Sequence, residues 1–148
     1  AQQVRLRFEY VFGHPIPGLP RIELVTIDKD TPLRIGSVSI QPVEVMHGWL
    51  PILGYRIGDL TYLTDAKSVS DIERKKITGT KKLVTSALHH SEHPAHMNLA
   101  EALTFVGEIL PEHAWLTHVS HHMGLAQELS PTLPPGVALG YDGLKIEF

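Results

Sequence analysis

Apolar and polar residues alternate along much of the first half of the chain, which is the pattern of half-buried β-strands. Residues 21–27 (RIELVTI) and 33–47 (LRIGSVSIQPVEVMH) carry this alternation, and Gly36 is the predicted turn within the second segment. Residues 53–65 (LGYRIGDLTYLTD) predict two short strands joined by a tight turn at Gly58-Asp59. The pattern therefore predicts a series of strands before residue 66.

Helical spacing of apolar residues appears near the start and then in the second half. Residues 4–12 (VRLRFEYVF) predict an amphipathic helix that the proline-rich segment 13–20 (GHPIPGLP) would end. Two more helices are predicted at residues 68–79, with Ser70 as the cap and Gly79 as the stop, and at 98–110, with Asn98 as the N-cap. Buried strands are predicted at 81–89 and 113–120, and a closing pair of strands at 136–148 around Asp142-Gly143. This alternation of strands and helices predicts an α/β protein with a layered sheet.

Composition limits the classes of function. The chain has 148 residues, about one domain's length, with 13 basic and 16 acidic residues and a net charge of −3, so its charge gives no sign of nucleic-acid binding. No apolar run reaches the ~18 residues that a membrane span needs, and no membrane partner is expected. There are no cysteines, which excludes disulfides and thiolate metal ligands and is consistent with a cytoplasmic location.

Histidine is the unusual component: the chain has ten, and eight of them fall in the last 60 residues. His47, Asp65 and His118 each follow a predicted hydrophobic strand, and ligands of open α/β sheets collect beyond strand ends. Two imidazoles and a carboxylate that converge there would suit a divalent metal ion. Taken one at a time, a histidine after a strand is more often a hydrogen-bonded loop residue, and only the three matching strand ends together favour a metal site.

The order of these residues resembles the C-terminal half of the metallo-β-lactamase fold. The string His47, LGYRI, YLTD, HPAHMNLAEAL and LTHVSH is most similar to the branch of transfer-RNA 3′-processing endonucleases and cyclic phosphodiesterases. The ending GYDG also matches the Gly-x-Asp-Gly of the phosphodiesterases. The resemblance implies a layered αββα fold.

The resemblance also implies roles for individual residues. His47, Asp65 and His118 would be metal ligands, with Asp65 bridging two divalent ions, either zinc or manganese. His96 would contact the scissile phosphate or protonate the leaving alcohol, and the free N–H groups of the following helix would suit a phosphate. His121 would be a second catalytic histidine, with His122 directed away from the site. For His89, His90 and His93, a solvated loop is the expected environment.

One departure from the family is informative. The leading family signature, His-x-His-x-Asp-His, supplies four of the usual seven metal ligands and does not occur in residues 1–148. We therefore expect these residues to form the C-terminal part of a single metallo-β-lactamase-type domain, inactive by itself. We also expect segments 38–46 and 81–88 to expose apolar faces or open edges, which would favour a homodimer.

Three functional hypotheses follow. The first is a metal-dependent phosphodiesterase acting on a small cyclic or ribose-linked phosphodiester, since no basic patch favours a nucleic acid. The second is a lactone, thioester or β-lactam hydrolase of the same fold. The third is a degenerate, non-catalytic half-domain that pairs with another chain.

Overall fold

The computed structural model describes residues 1–13, 18 and 22–148. Most of the segment 13–20 and His14 therefore lie outside the described residues. The described strands form a seven-stranded sheet in the chain order β1 to β7. Their bounds are β1 Leu33–Ile35, β2 Val38–His47, β3 Leu50–Ile57, β4 Leu60–Leu63, β5 Lys82–Ser86, β6 His113–Thr117 and β7 Val137–Leu139.

The sheet is antiparallel in its first part and parallel in its second. Strands β1 to β4 pair antiparallel, through tight turns, and β4 to β7 pair parallel. Parallel neighbours need a crossover connection, and helices supply it here between β4 and β5 and between β5 and β6. As a result β2, β4, β5 and β6 all run in one direction and end at the same edge of the sheet.

The helices are short except for one. Their bounds are α1 Gln2–Arg7, α2 Glu9–Phe12, α3 Asp71–Lys76, α4 Leu99–Ile109 and α5 Ala126–Leu129, with two 3₁₀ turns at His121–Met123 and Ser130–Thr132. Helix α3 packs against β2, and α4 packs against β5. The core lies between them and the sheet, and its buried members include Val43, Leu63, Leu83, Phe105 and Leu116.

Both crossover helices begin as the sequence predicted. The side chain of Ser70 accepts a hydrogen bond from the backbone N–H of Glu73 at the start of α3. At the start of α4, Asn98 and Glu101 form a reciprocal capping box, in which each side chain accepts from the other residue's backbone N–H. These caps satisfy N–H groups that a helix start leaves without partners.

Three local predictions were wrong. Residues 4–12 form two helices rather than one, because Phe8 leaves the helical region with φ −119° and ψ 42°, and neither helix has a buried residue to hold it against the core. Residues 22–27 form no strand, and the closing pair is reduced to β7, Val137–Leu139. In both segments the residue pattern favoured strands, but strand formation depends on neighbours to pair with.

The expected open edges are also only partly found. Strand β5 lies between β4 and β6, and Leu83 and Val84 are 0% and 7% exposed, so the prediction was wrong for this strand. Near the β1 edge, by contrast, Ile35 and Val38 are exposed. Within the described residues, no helix is long and apolar enough to cross a membrane.

Candidate metal centre

Three strand ends bring the predicted ligands together. His47 is the last residue of β2, Asp65 lies two residues beyond β4, and His118 directly follows β6. Since these three strands end at the same edge of the sheet, the three side chains are delivered to one place. Their proximity agrees with the sequence prediction, and their role as metal ligands stays a prediction.

The backbone at two of these positions is unusual. Asp65 and His118 have φ values of 56° and 57°, in the left-handed region that most residues with a side chain avoid. Aspartate and histidine are among the residue types enriched there, and such conformations cluster at functional sites. The sharp change of direction turns the chain out of each strand at the point where its polar side chain is placed.

The atoms of the cluster are close enough to share a small ligand. Nε2 of His47 lies 3.2 Å from Nε2 of His96, and Oδ1 of Asp65 lies 3.3 Å from Nε2 of His118. One ligand atom from each of His47, Asp65 and His96 falls within 4.8 Å of the other two. We call these four residues, His47, Asp65, His96 and His118, the histidine–aspartate cluster.

His96 is the most enclosed member. Its side chain is 12% exposed, whereas those of Asp65 and His118 are 41% and 39% exposed. Burial lowers the pKa of His96, and the neighbouring His118, His47 and His93 lower it further, against an opposing effect of Asp65. Its neutral form is therefore favoured, which is the form that binds a metal ion.

The donor set fits a divalent metal ion. Imidazole nitrogen and carboxylate oxygen are the ligands that zinc and manganese accept, and they converge without a competing lysine or arginine in the cluster. In addition, Nδ1 of His96 is buried and has no hydrogen-bond partner among the described residues. A buried polar nitrogen without a partner is costly, and a metal ion or a bound phosphate would satisfy it.

The loop before α4 holds His96 in place through its backbone. The N–H of Met97 donates to the carbonyl of Ala66 over 2.8 Å, and the N–H of Leu88 donates to the carbonyl of Met97 over 3.0 Å. Met97 itself is 3% exposed. His96 directly precedes Met97 in the chain. Its position is therefore held by the backbone hydrogen bonds of Met97 to the loops that follow β4 and β5.

The expected phosphate contacts at the start of α4 are not supported. The N–H groups of Asn98 and Glu101 are taken by the capping box, and that of Leu99 donates to the carbonyl of His89. These groups have partners within the protein, so they are not free to bind a phosphate. The three groups are thereby excluded as phosphate donors, and a phosphate contact of the remaining first-turn N–H, that of Ala100, stays a prediction.

His121 is not brought into the cluster. It lies in an exposed 3₁₀ turn, and its ring lies against that of His122, with centroids 3.8 Å apart and planes tilted by 42°. The ring of His122 lies 6.3 Å from that of His89, outside the cluster, and its expected direction away from the site stays a prediction. The 3₁₀ turn that begins at His121 is the physical reason that His121 lies outside the cluster, because it ends the extended geometry on which the prediction relied.

His93 is a neighbour of the cluster that no strong sequence pattern selects. Its ring centroid lies 4.9 Å from that of His96, and its Nδ1 accepts a hydrogen bond from the N–H of Ala95. A solvated loop was the expectation, yet His93 is half-buried. The only sequence signal was its spacing of three residues from His96 across Pro94.

Comparison with known proteins places this site in a family. The chain matches the family described as "Beta-lactamase superfamily domain" over residues 1–119. A crystal structure described as a new diphosphatase from the PhnP family is 31% identical, with a TM-score of 0.88, over 99% of this chain and 54% of that one. The chain therefore belongs to the beta-lactamase superfamily, and both the fold and the family predicted from sequence are confirmed.

Two further structures share the fold. The metallo-beta-lactamase fold protein YhfI from Bacillus subtilis is 22% identical with a TM-score of 0.65, over 81% of this chain and 54% of that one. Human tRNase Z, short form, is 16% identical with a TM-score of 0.59, over 78% of this chain and 45% of that one. The chain thus spans about half the length of the solved structures that it resembles.

The name of one curated relative indicates a different activity from that of the diphosphatase. An octanoyltransferase from Porphyromonas gingivalis is 38% identical over 144 residues, which are 96% of this chain but 29% of that protein. Most of that protein has no counterpart in this chain, so its name does not assign an activity to the shared segment.

Proposed function

We propose that the complete protein is a metal-dependent phosphodiesterase that hydrolyses a small phosphodiester. The observation that supports this most is the convergence of His47, Asp65 and His96 within 4.8 Å. This convergence occurs in a chain that is 31% identical to a diphosphatase of the PhnP family over 99% of this chain.

In this proposal His47, Asp65 and His118 hold two divalent ions, zinc or manganese, together with ligands from outside the chain. The geometry also allows His96 to be a ligand, because its Nε2 lies 3.2 Å from Nε2 of His47 and one of its nitrogens lies within 4.8 Å of ligand atoms of His47 and Asp65. Bound ions of this kind lower the pKa of a coordinated water and neutralise charge on phosphate oxygens.

The residues of the chain would then orient the substrate and transfer protons. In the hydrolysis, a bond forms between phosphorus and the oxygen of water, and a phosphorus–oxygen bond to the leaving alcohol breaks. If His96 faces the substrate, its neutral imidazole would accept the proton that the attacking water loses and pass it to the leaving oxygen. Asp65 lies 3.8 Å from Nδ1 of His96 and so stabilises the protonated ring during that transfer.

A small substrate is favoured over a nucleic acid. The net charge of the chain is −3, and the cluster contains no lysine or arginine that could follow a phosphate backbone. We therefore expect a cyclic or ribose-linked phosphodiester.

The test is hydrolysis by the full-length protein that contains this chain. After removal of metal, zinc or manganese is added back and release of phosphomonoester is measured from a cyclic ribose phosphate, with a lactone and a thioester as alternative substrates. We expect metal-dependent hydrolysis of the phosphodiester and none in an Asp65→Asn variant. Hydrolysis of only the lactone or thioester, or of nothing, would refute the proposal.

A further inference from the structure

Trp49 is an exposed aromatic side chain beside the histidine–aspartate cluster. It lies at the tip of the β2–β3 hairpin, whose strands pair up to His47 and Leu50 and leave Gly48 and Trp49 as a two-residue turn. Gly48 has φ +61°, as the first position of such turns often requires. Trp49 is 88% exposed, which places a large apolar surface in water.

The turn itself does not explain a tryptophan. Two-residue hairpin turns favour glycine, asparagine and aspartate, which adopt the required backbone and stay hydrated. The described residues cover only about 12% of the indole surface, by subtraction from its 88% exposure. The indole therefore remains available for contact with a bound molecule.

The tryptophan also forms one wall of a recess that reaches the cluster. The recess has a volume of about 440 Å³, and its lining residues are His47, Gly48, Trp49, Leu50, Pro94 and Ala95. Pro94 and Ala95 belong to the loop that carries His93 and His96. A molecule whose phosphate contacts His47 and His96 would therefore have its adjoining group over this recess.

The chemistry of the lining selects that adjoining group. Apart from His47, the lining residues are apolar or glycine, so a second phosphate or a carboxylate would find no counter-charge. A flat aromatic ring would stack on an exposed indole, as nucleobases do on aromatic side chains.

We propose that Trp49 is a specificity residue that stacks on a planar aromatic group, such as a nucleobase, attached to the scissile phosphate. This inference rests on the proposed phosphodiesterase function and names the part of the substrate that the histidine–aspartate cluster does not contact.

The test compares two substrates that share the reacting group. In the full-length protein, kcat/KM is measured for adenosine 2′,3′-cyclic phosphate and for 1-O-methylribose 2,3-cyclic phosphate, which lacks the base. We expect Trp49→Ala to lower the ratio of the two values about 10-fold, mainly through KM for the base-bearing substrate. Trp49→Phe should preserve most of the ratio, and Trp49→Leu, which keeps an apolar side chain without a ring, should lose it.

Ile72→Ala is the matched control, because Ile72 is also an exposed apolar residue, 72% exposed, but lies on α3 outside the recess. This variant should leave the ratio unchanged. An unchanged ratio in Trp49→Ala, or an equal loss in Ile72→Ala, would overturn the inference. If Trp49→Ala does not fold, Trp49→Leu and Trp49→Phe decide the question.

A binding measurement separates this inference from the proposed function. If the wild-type protein hydrolyses neither substrate, the proposed function fails. Calorimetry with adenosine 5′-monophosphate and ribose 5-phosphate then tests Trp49 alone. About 10-fold tighter binding of the base-bearing ligand, lost in Trp49→Leu, would support the inference, and equal binding of both ligands by the wild type would overturn it.

Discussion

Two groups of histidines in this chain have the same side chain and very different surroundings. His47, His96 and His118 surround Asp65, with nitrogen and oxygen atoms 3.2 to 3.8 Å apart. His121 and His122 are adjacent in sequence and exposed, and their tilted rings contact each other. The exposed pair is thus adjacent in sequence, whereas the group that converges on Asp65 comes from residues up to 71 positions apart, from 47 to 118.

The backbone accounts for this difference. His47 and His118 follow strands that are fixed on both sides by neighbouring strands, and Asp65 and His118 turn out of their strands in the left-handed conformation. His121 and His122 lie in a single 3₁₀ turn. A side chain held by a rigid strand end can keep the geometry that a metal site needs, while one on an exposed turn must adopt that geometry at an entropic cost.

The largest effect is expected from a substitution of Asp65. Asp65 contacts His96 and His118 directly, and it is connected to His47 through His96. Asp65→Asn removes the negative charge, and asparagine tolerates the left-handed backbone, so the fold should be retained. We expect loss of bound metal and a fall in phosphodiester hydrolysis of at least about 100-fold, since even a residue behind the ligands can cost that much. Elemental analysis and turnover are the measurements.

His122→Asn is the control for the Asp65 variant, because it changes a histidine of the exposed pair. It should keep its metal. Full metal content in Asp65→Asn would show that Asp65 is not a ligand and would remove the basis of the contrast.

The next effect concerns His96, whose role differs between the two interpretations of the cluster. If His96 faces the substrate, His96→Ala should lower turnover about 100-fold while metal content stays close to that of the wild type, as for a lost general acid. If it is a ligand, metal content should fall together with turnover.

His93→Ala is the matched control, since the His93 ring lies 4.9 Å from His96 but His93 is outside the group of converging ligand atoms. A smaller loss of turnover than in His96→Ala is expected. Equal losses in both variants would mean that the two rings act as one unit and that His96 has no separate role.

The sequence predicted the features that depend on local signals and missed those that depend on contacts between distant residues. Alternating strands and helix caps are local signals, so β2, α3 and α4 were placed well, and the strand-end positions of His47, Asp65 and His118 followed from them. His93 could not be selected, because its contact with His96 depends on the path of a loop without a regular pattern. The strand predicted at 22–27 failed for a related reason, since its pattern was local but pairing depends on the rest of the sheet.

A smaller effect is expected for the ion pair that supports the start of α4. Lys67 donates to both carboxylate oxygens of Glu101, at 2.7 and 2.9 Å. Burial raises the pKa of Glu101, but the hydrogen bonds from Lys67 and from the N–H of Asn98 outweigh this effect and hold the pKa below its ordinary value. A lowered carboxylate pKa in the folded state stabilises the protein above the unfolded pKa, and this stabilisation is lost as pH falls through the folded pKa.

Glu101→Gln tests this contribution, because glutamine can keep the capping box while removing the charge. At neutral pH we expect a loss of at most about 1 kcal/mol in the free energy of unfolding, since the Glu101 side chain is 38% exposed and the pair is screened by water. Denaturant unfolding at pH 7 and at about pH 3 should show the difference shrinking at the lower pH. A difference that grew on acidification would contradict the sign of the pKa shift.

The smallest effect is expected for His121, which the family resemblance marked as a second catalytic histidine. In its exposed 3₁₀ turn, His121 has no contact with Asp65 or His96 among the described residues. We therefore expect His121→Gln to change kcat and KM by less than about 3-fold. This change is well below the roughly 100-fold scale of general acid–base catalysis. Steady-state kinetics of the full-length protein, with His96→Ala measured beside it, gives the comparison on one scale. A loss in His121→Gln as large as in His96→Ala would show that the turn moves His121 into the site when substrate binds, and the contrast between the two histidine groups would then apply only to the unbound protein.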